Sequence, residues 1–274
     1  MVTSLLTALA HSSVLPLGAR FRKVPEGREG EVLVFFPLAG LIAAALPAAV
    51  LVLALRPLGL SRELAAALAL VAMVAVTGAA NLINLAATAD AIGSGKSGPE
   101  PLEVDPAERV GAYGIVAVGL VLLVKFAALA ALVSDMGRGT VLSLPGMVLA
   151  VLLAAALSRW AAVVLAAYSE YARPEGGPDE WMIRYCGARE FRWSLVLVVI
   201  LVAGVISAWM LGRSQLGWLK VVLAAFGCFA VGLVGSMYLE KRFGGITSRQ
   251  LGAVTEVAEV LALAVCALPT AQFG

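Results

Sequence analysis

The sequence has little charge and few of the residues that bind transition metals. Of its 274 residues, 14% are Asp, Glu, Lys or Arg, and it contains three cysteines and one histidine. So few residues cannot build a disulfide framework or a His/Cys metal cage, so any bound metal would be a hard cation held by oxygen ligands. The net charge of +2 comes from 20 basic and 18 acidic residues, and no concentrated basic face favours nucleic acid as a partner.

Apolar residues take the place of the missing charge. They make up 61% of the chain, and the mean hydropathy is +0.95, whereas soluble domains have about 45–50% apolar residues. A helix that crosses a lipid bilayer needs about 20 mostly apolar residues. Runs of about that length fall at 32–55, 64–92, 110–134, 141–168, 194–212, 217–239 and 250–268. We therefore predict an all-α fold, a polytopic membrane bundle of about seven transmembrane helices that forms one domain over residues 1–274.

The ends of the predicted spans carry further signals. Residues 1–31 are predicted to be an interfacial or cytoplasmic N-terminal segment that begins with a short interfacial helix over 1–19. Basic residues follow the first apolar stretch instead of preceding it, so this segment does not have the order of a signal peptide. Three prolines predict kinked or broken spans: Pro37, Pro47 and Pro145.

The basic residues also predict the orientation in the membrane. With a cytoplasmic N-terminus, the inner connections 20–31, 93–109, 169–193 and 240–249 contain 13 Lys and Arg residues, and the outer connections contain four. Cytoplasmic loops carry an excess of Lys and Arg. We therefore predict a cytoplasmic N-terminus, with the long polar connections on the same side.

A polar stripe interrupts the second apolar run. Asn81, Asn84 and Thr88 are three and four residues apart, so they share one face of a helix and are predicted to point into the bundle. Such residues bind ligands or hold helices together through hydrogen bonds, and the pattern leaves both open. Asp90 follows, before a Gly-Ser-Gly-Lys-Ser-Gly stretch that lacks P-loop spacing and is typical of a flexible linker.

Charged residues within or beside the apolar runs are the other candidates for chemistry. Arg159 lies inside the fourth run, where a charge costs about 2.5–3.5 kcal/mol on insertion scales, so it should face a cavity or a carboxylate. Glu256 and Glu259 share a face of the last helix and need a cation, either Arg159 or a metal ion. Arg109 could bind a phosphate group through two hydrogen bonds or anchor a helix boundary. We expect these groups to meet at the cytoplasmic face.

Several short stretches, in a distinctive order and spacing, cover nearly the whole chain: 35–41, 81–95, 109–114 with 125–126, 158–160, 171–176, and 244–247 with 251–253 and Glu256. Together they resemble the cobalamin synthase family, the membrane adenosylcobinamide-GDP ribazoletransferases of vitamin B12 assembly. The resemblance implies a multi-pass protein of the bacterial inner membrane. It also implies a phosphoryl transfer: a hydroxyl group of α-ribazole, or of its 5′-phosphate, attacks the cobinamide-linked phosphate of adenosylcobinamide-GDP, and GMP leaves.

The resemblance also implies roles for individual residues and for Mg²⁺. Divalent cations and arginines can neutralise the charge that develops on phosphate oxygens. The implied catalytic residues are Arg109, Arg159, Arg173 and Glu175. The implied substrate-binding residues are Asn81, Asn84 and Thr88, and the implied Mg²⁺ ligands are Asp90 and Glu256.

The acidic motif departs from the family pattern H-L-D-G-L-A-D-T-x-D-G. Its three aspartate positions hold Ile83, Ala87 and Asp90, and in the pattern G-G-x-T-G-D the last two positions hold Ser248 and Arg249. Most of the charge that would bind a divalent ion is therefore absent. Three hypotheses follow: a working transferase with a remodelled metal site, a family member without catalysis that binds a corrinoid or nucleotide intermediate or a partner enzyme, and a small-solute carrier.

Overall fold

The computed structural model describes residues 1–102, 110–134, 144–173, 176–177, 179–211 and 216–268. The predicted site residues Arg109 and Glu175 lie outside these ranges. Within them the chain forms α-helices: α1 (Val2–Ser12), α2 (Glu29–Val34), α3 (Phe36–Ala43), α4 (Ala45–Leu55), α5 (Arg62–Thr77), α6 (Ala80–Gly93), α7 (Ala112–Ser134), α8 (Leu144–Ala167), α9 (Trp181–Arg184), α10 (Ala188–Met210), α11 (Trp218–Phe243) and α12 (Ser248–Cys266).

The predicted membrane bundle is confirmed, with a smaller number of candidate spans. Within the described ranges, five segments are long and apolar enough to cross a membrane: α3 with α4, α7, α8, α10 and α11. The pair α5 and α6 adds a sixth if it forms one bent span. The seventh predicted span corresponds to α12, which is not among these candidates. It carries Arg249, Glu256 and Glu259, and most of its residues are buried between other helices.

The second predicted span, 64–92, is two helices that meet at an angle of 84°. Gly78 and Ala79 both adopt the left-handed conformation, with φ of 60° and 59°. Their backbone N–H groups donate to the carbonyls of Ala75 and Val74, which is the Schellman motif that ends helices. An alanine in this conformation costs about 1–2 kcal/mol. Apolar residues continue across the break, so hydropathy alone does not reveal it.

Two of the three prolines lie just after breaks between helices. Pro37 is in the first turn of α3, after the break at Phe35, and Pro47 is in the first turn of α4, after the break at Ala44. A proline removes a backbone donor and favours the start of a helix over its interior. Pro145 lies in the first turn of the described part of α8. The predicted kinks at Pro37 and Pro47 therefore take the form of short helices joined end to end.

Helix α8 lies at the centre of the bundle, and 83% of its most apolar 18-residue stretch is buried. Glycines bring neighbouring backbones close to it. A Cβ atom on Gly40 of α3 would lie 2.4 Å from the carbonyl oxygen of Ala155, and one on Gly232 of α11 would lie 2.6 Å from that of Ala161. Small residues at such crossings allow the tight packing that drives association of helices in membranes.

Several connecting segments meet at one end of the bundle. Gly98, after α6, donates a backbone hydrogen bond to the carbonyl of Arg242 in α11 at 2.9 Å. Ala172, after α8, donates to the carbonyl of Ile246, just before α12, also at 2.9 Å. Gly245 allows this second approach, because a Cβ atom there would lie 2.7 Å from the carbonyl oxygen of Glu170. The ends of α6, α8 and α11 and the start of α12 are thus joined.

Candidate functional site

A cavity of about 320 Å³ lies beside these joined segments. Its walls come from α1, α3, α6, α8, α9 and α12 and from the segment that leads into α9. Its charged, amide and imidazole side chains are His11, Asn81, Asn84, Arg159, Asp179 and Arg249. Asn81, Asn84 and Arg159 were predicted as site residues, and the structure brings them into one cavity. The predicted inward direction of the asparagine face is also confirmed.

Arg159 is nearly enclosed by protein, with 5% of its surface exposed. Its Nη1 atom donates to Oε1 of Glu259 at 2.8 Å and to the hydroxyl of Ser158 at 3.2 Å. Its Nε atom has no hydrogen-bond partner among the described residues. The prediction that Arg159 faces a cavity or a carboxylate is confirmed on both counts, because the same side chain lines the cavity and pairs with Glu259.

Glu259 belongs to a buried cluster of four charges. Lys125 of α7 places Nζ 2.5 Å from Oε2 of Glu256 and 2.5 Å from Oε2 of Glu259. With Arg159 the cluster has two cations and two carboxylates, so its charges balance. The prediction named Arg159 or a metal ion as the cation for the glutamates: Arg159 pairs with Glu259, and Lys125, which was not predicted, pairs with both glutamates. An ionisable residue inside an apolar run generally has a partner, and Lys125 within α7 was the signal for this pairing.

Asp90 holds the start of α7. Its carboxylate oxygens accept hydrogen bonds from the backbone N–H groups of Gly111 at 2.7 Å and Gly114 at 2.8 Å. A Cβ atom on Gly111 would lie 2.4 Å from Oδ1 of Asp90, so the glycines of this motif make room for the carboxylate. A negative charge is favourable near a helix N-terminus, where backbone N–H groups lack partners within the helix.

The described residues do not fit a divalent cation. Among them, no group of three or more His, Cys, Asp or Glu side chains is placed to hold a metal ion. Of the two predicted ligands, Asp90 accepts two backbone hydrogen bonds and Glu256 pairs with Lys125. The reaction proposed below therefore includes no step through Mg²⁺, and the assignment of Asp90 and Glu256 as Mg²⁺ ligands stays a prediction.

Thr88 lies between two helices. It is buried, and its hydroxyl oxygen accepts a hydrogen bond of 3.4 Å from Nε2 of Gln250 in α12. Oε1 of Gln250 in turn accepts the backbone N–H of Thr247 at 2.8 Å. This contact corresponds to the helix-packing alternative for the polar stripe, and the role of Thr88 in substrate binding stays a prediction.

Arg173 lies next to Arg249, which lines the cavity. The two guanidinium groups donate to the same carbonyl oxygen, that of Leu102, at 2.7 Å and 3.2 Å respectively. Burial raises the pKa of the neighbouring Tyr171; Arg173 and Arg249 act in the opposite direction, whereas the carboxylates of Glu180 and Asp179 raise it further. Charges of both signs therefore gather beside the cavity. Asp179, a carboxylate in the cavity wall, accepts a hydrogen bond of 3.1 Å from the hydroxyl of Ser248.

Of the six charged, amide and imidazole side chains in the cavity wall, three were not predicted as site residues. His11 lies in the segment predicted to be interfacial, and Asp179 follows a Pro- and Gly-rich turn with no periodic pattern. Arg249 was noted because it occupies a position where the family pattern has an aspartate. That substitution of a cation for an acid was the available signal for this residue.

These observations define a polytopic helical membrane protein with a polar, arginine-lined cavity at one end. The chain belongs to the cobalamin-5-phosphate synthase family, whose model matches residues 4–267. The adenosylcobinamide-GDP ribazoletransferase of Rhizobium etli (strain CIAT 652) is 32% identical over 273 residues, or 96% of this chain and 95% of the relative. That of Syntrophobacter fumaroxidans is 35% identical over 237 residues, or 85% of each chain. No solved structure matches the chain.

Proposed function

We propose that this protein is an adenosylcobinamide-GDP ribazoletransferase. It joins adenosylcobinamide-GDP to α-ribazole, or to its 5′-phosphate, and releases GMP, so that the product is adenosylcobalamin or its 5′-phosphate. The observation that carries the proposal is the convergence of three family-like stretches on one cavity. These are 81–95, 158–160 and 244–247 with 251–253, which contribute Asn81, Arg159 and Gly252 to its wall.

The side chains of the cavity suit displacement at a diphosphate. Negative charge is redistributed over the attacking, bridging and leaving oxygens in such a reaction, and most of the catalysis comes from positioning and electrostatic stabilisation. A guanidinium group can donate two parallel hydrogen bonds to a phosphate. Arg159 and Arg249 bind and orient the diphosphate in this proposal, and the amides of Asn81 and Asn84 add neutral donors. Arg109 and Glu175 stay predicted catalytic residues outside the described ranges.

In this proposal the reaction takes place at the cytoplasmic face of the bacterial inner membrane. The connections predicted to be cytoplasmic include 93–109, 169–193 and 240–249, and backbone hydrogen bonds join described residues of all three at one end of the bundle. The cavity lies beside that end. This arrangement supports a cavity that opens toward the side where the nucleotide substrate is found.

Complementation tests the proposal. A bacterial strain that lacks its own synthase and expresses this protein should grow on cobinamide plus dimethylbenzimidazole. Arg249→Gln should abolish that growth, whereas Arg192→Gln, which alters an exposed arginine of α10 outside the cavity wall, should not. Absence of growth with normal amounts of protein in the membrane would refute the assignment.

A second candidate function is favoured by the acidic motif. Ile83 and Ala87 replace two aspartates of the family pattern, and the carboxylate of Asp90 is used by backbone N–H groups. A family member without catalysis would bind a corrinoid or nucleotide intermediate at the same cavity. Purified protein that binds adenosylcobinamide-GDP tightly, with no GMP released in the presence of α-ribazole, would support this candidate over the transferase.

A further inference from the structure

We propose that the cavity binds diphosphate oxygens directly through groups of the protein chain, with no divalent cation between them. The proposal deepens the function above and rests on it for the identity of the natural ligand. It concerns the same cavity, and it assigns to two arginines and two helix N-termini the neutralising role that a metal ion would otherwise have.

The first support is a buried arginine that has a hydrogen-bond donor without an acceptor. Arg159 is more than nine-tenths buried and lines the cavity, and its Nε atom has no hydrogen-bond partner among the described residues. A buried polar group without a partner costs about 1–3 kcal/mol, and more if it is charged. The guanidinium group that contains this atom lines the cavity, so an anion there would lie beside an arginine with spare hydrogen-bonding capacity. Because Nη1 already donates to Glu259, the orientation of the guanidinium is set before any ligand arrives.

The second support is the direction of two helices. The first turn of α6 contributes Ala80 and Asn81 to the cavity wall, and the first turn of α12 contributes Ser248 and Arg249. Helix N-termini carry partial positive charge, which favours anions. The start of α12 already has a capping box formed by Thr247 and Gln250, so it contributes this partial charge more than free N–H groups. The residue before α6 is Ala79, whose side chain cannot accept a hydrogen bond. Its first-turn N–H groups are therefore not capped from that position.

The third support is that the carboxylates near the cavity already have hydrogen-bond or ion-pair partners in the protein. Glu256 and Glu259 are paired with Lys125 and Arg159, and Asp90 accepts two backbone hydrogen bonds. Asp179 is the carboxylate that remains among the described lining residues, and Ser248 donates a hydrogen bond to it. With one carboxylate, a divalent cation would depend on substrate phosphates and water for nearly all of its oxygen ligands.

The charged side chains of the wall favour an anion over a cation. Arg159 and Arg249 line the cavity, against the single carboxylate of Asp179. The described wall therefore carries more positive than negative charge, so the cavity attracts the anion that a bound metal would otherwise have attracted.

The size of the cavity limits the part of the substrate that it can hold. Ligand sites commonly occupy about 300–1,000 Å³, and this cavity of about 320 Å³ lies at the lower limit. It suits a diphosphate and part of a nucleoside, whereas a corrin ring is too large. We infer that the corrinoid stays outside the cavity wall while the diphosphate enters.

Binding of inorganic pyrophosphate to the purified full-length protein in nanodiscs tests the inference without any turnover. Isothermal titration should give a dissociation constant in excess EDTA that is no weaker than in Mg²⁺. Arg249→Gln should weaken binding by about 10- to 100-fold, which corresponds to the loss of one charged hydrogen-bonding partner. Arg192→Gln should leave it unchanged. Asn81→Leu, with a neutral donor removed, should weaken binding by about 2- to 10-fold.

The outcomes separate this inference from the proposed function. Pyrophosphate binding that requires Mg²⁺, or that survives Arg249→Gln in protein with the wild-type melting temperature, overturns the metal-independent site. If Arg249→Gln does not fold, Asn81→Leu and the EDTA comparison on wild-type protein decide the question. Failure of complementation with intact binding in EDTA refutes the transferase and keeps the site. Complementation together with pyrophosphate binding only in Mg²⁺ supports the transferase and refutes the metal-independent site.

Discussion

Arg159 on α8 and Glu259 on α12 are 100 residues apart in the sequence and form a buried ion pair, with Nη1 and Oε1 separated by 2.8 Å. The other carboxylate oxygen of Glu259 accepts a hydrogen bond from Lys125. Glu259 thus connects the arginine of the cavity to a lysine on a third helix. Because the cavity wall includes Arg159 but not Glu259, the glutamate acts on any ligand through the arginine that it orients.

Glu259→Gln should lower transferase activity more than Glu256→Gln does. Both glutamates are buried and paired with Lys125, but only Glu259 holds Arg159. Loss of the charged partner should let the guanidinium rotate, and we expect about a 10- to 100-fold lower kcat, since a charged hydrogen bond contributes about 1.5–3 kcal/mol. Steady-state assays of both variants at equal protein levels measure the difference. Equal losses of kcat would show that the pair has only a structural role.

Lys125→Met should destabilise the protein by about 3–5 kcal/mol, because removal of one partner leaves buried charge without compensation. The double variant Lys125→Met/Glu256→Leu should recover much of that loss. It leaves Arg159 opposite Glu259, one cation with one carboxylate. Unfolding in mixed micelles followed by circular dichroism gives the two free energies. A double variant less stable than the single one would contradict the charge-balance explanation.

Asp90→Ala should loosen the start of α7. The substitution removes the acceptor for the backbone N–H groups of Gly111 and Gly114, and loss of an acceptor at a helix N-terminus costs about 0.5–2 kcal/mol. We expect faster hydrogen exchange at 110–116 and a lower melting temperature. Glu100→Ala is the control, since this exposed acid pairs with Lys96 at the surface, where such pairs contribute little. Unchanged exchange in Asp90→Ala would refute the capping role.

Cysteine labelling should show which side of the membrane each connection faces. The three native cysteines are buried, so the labelling of an introduced cysteine can be measured with little labelling of the native ones. A membrane-impermeant maleimide added to intact spheroplasts should label Leu58→Cys, an exposed position between α4 and α5. It should label Lys96→Cys, after α6, only once the membrane is opened. The reverse pattern would place the N-terminus outside.

Part of the site was predictable from local pattern. Asn81 and Asn84 share a helical face, and Arg159 lies inside an apolar run, so each had to point into the protein. The pairing of the two late glutamates with a buried cation followed from the cost of isolated charge. Local pattern does not say which cation is close enough, because Lys125 and Glu256 are 131 residues apart and their distance depends on how α7 packs against α12.

Composition and hydropathy alone determine that this chain is a helical membrane protein, because continuous apolar runs of about 20 residues cross a bilayer as helices, which pair their backbone groups internally. Three features depend on the tertiary structure: the 84° turn at Gly78 and Ala79, the use of Asp90 as a cap for α7, and the meeting of Arg159 with Arg249 in one cavity. Each arises from contacts or backbone conformations that hydropathy does not register. Periodicity fixes the face on which a residue lies, whereas helix packing decides what that face meets.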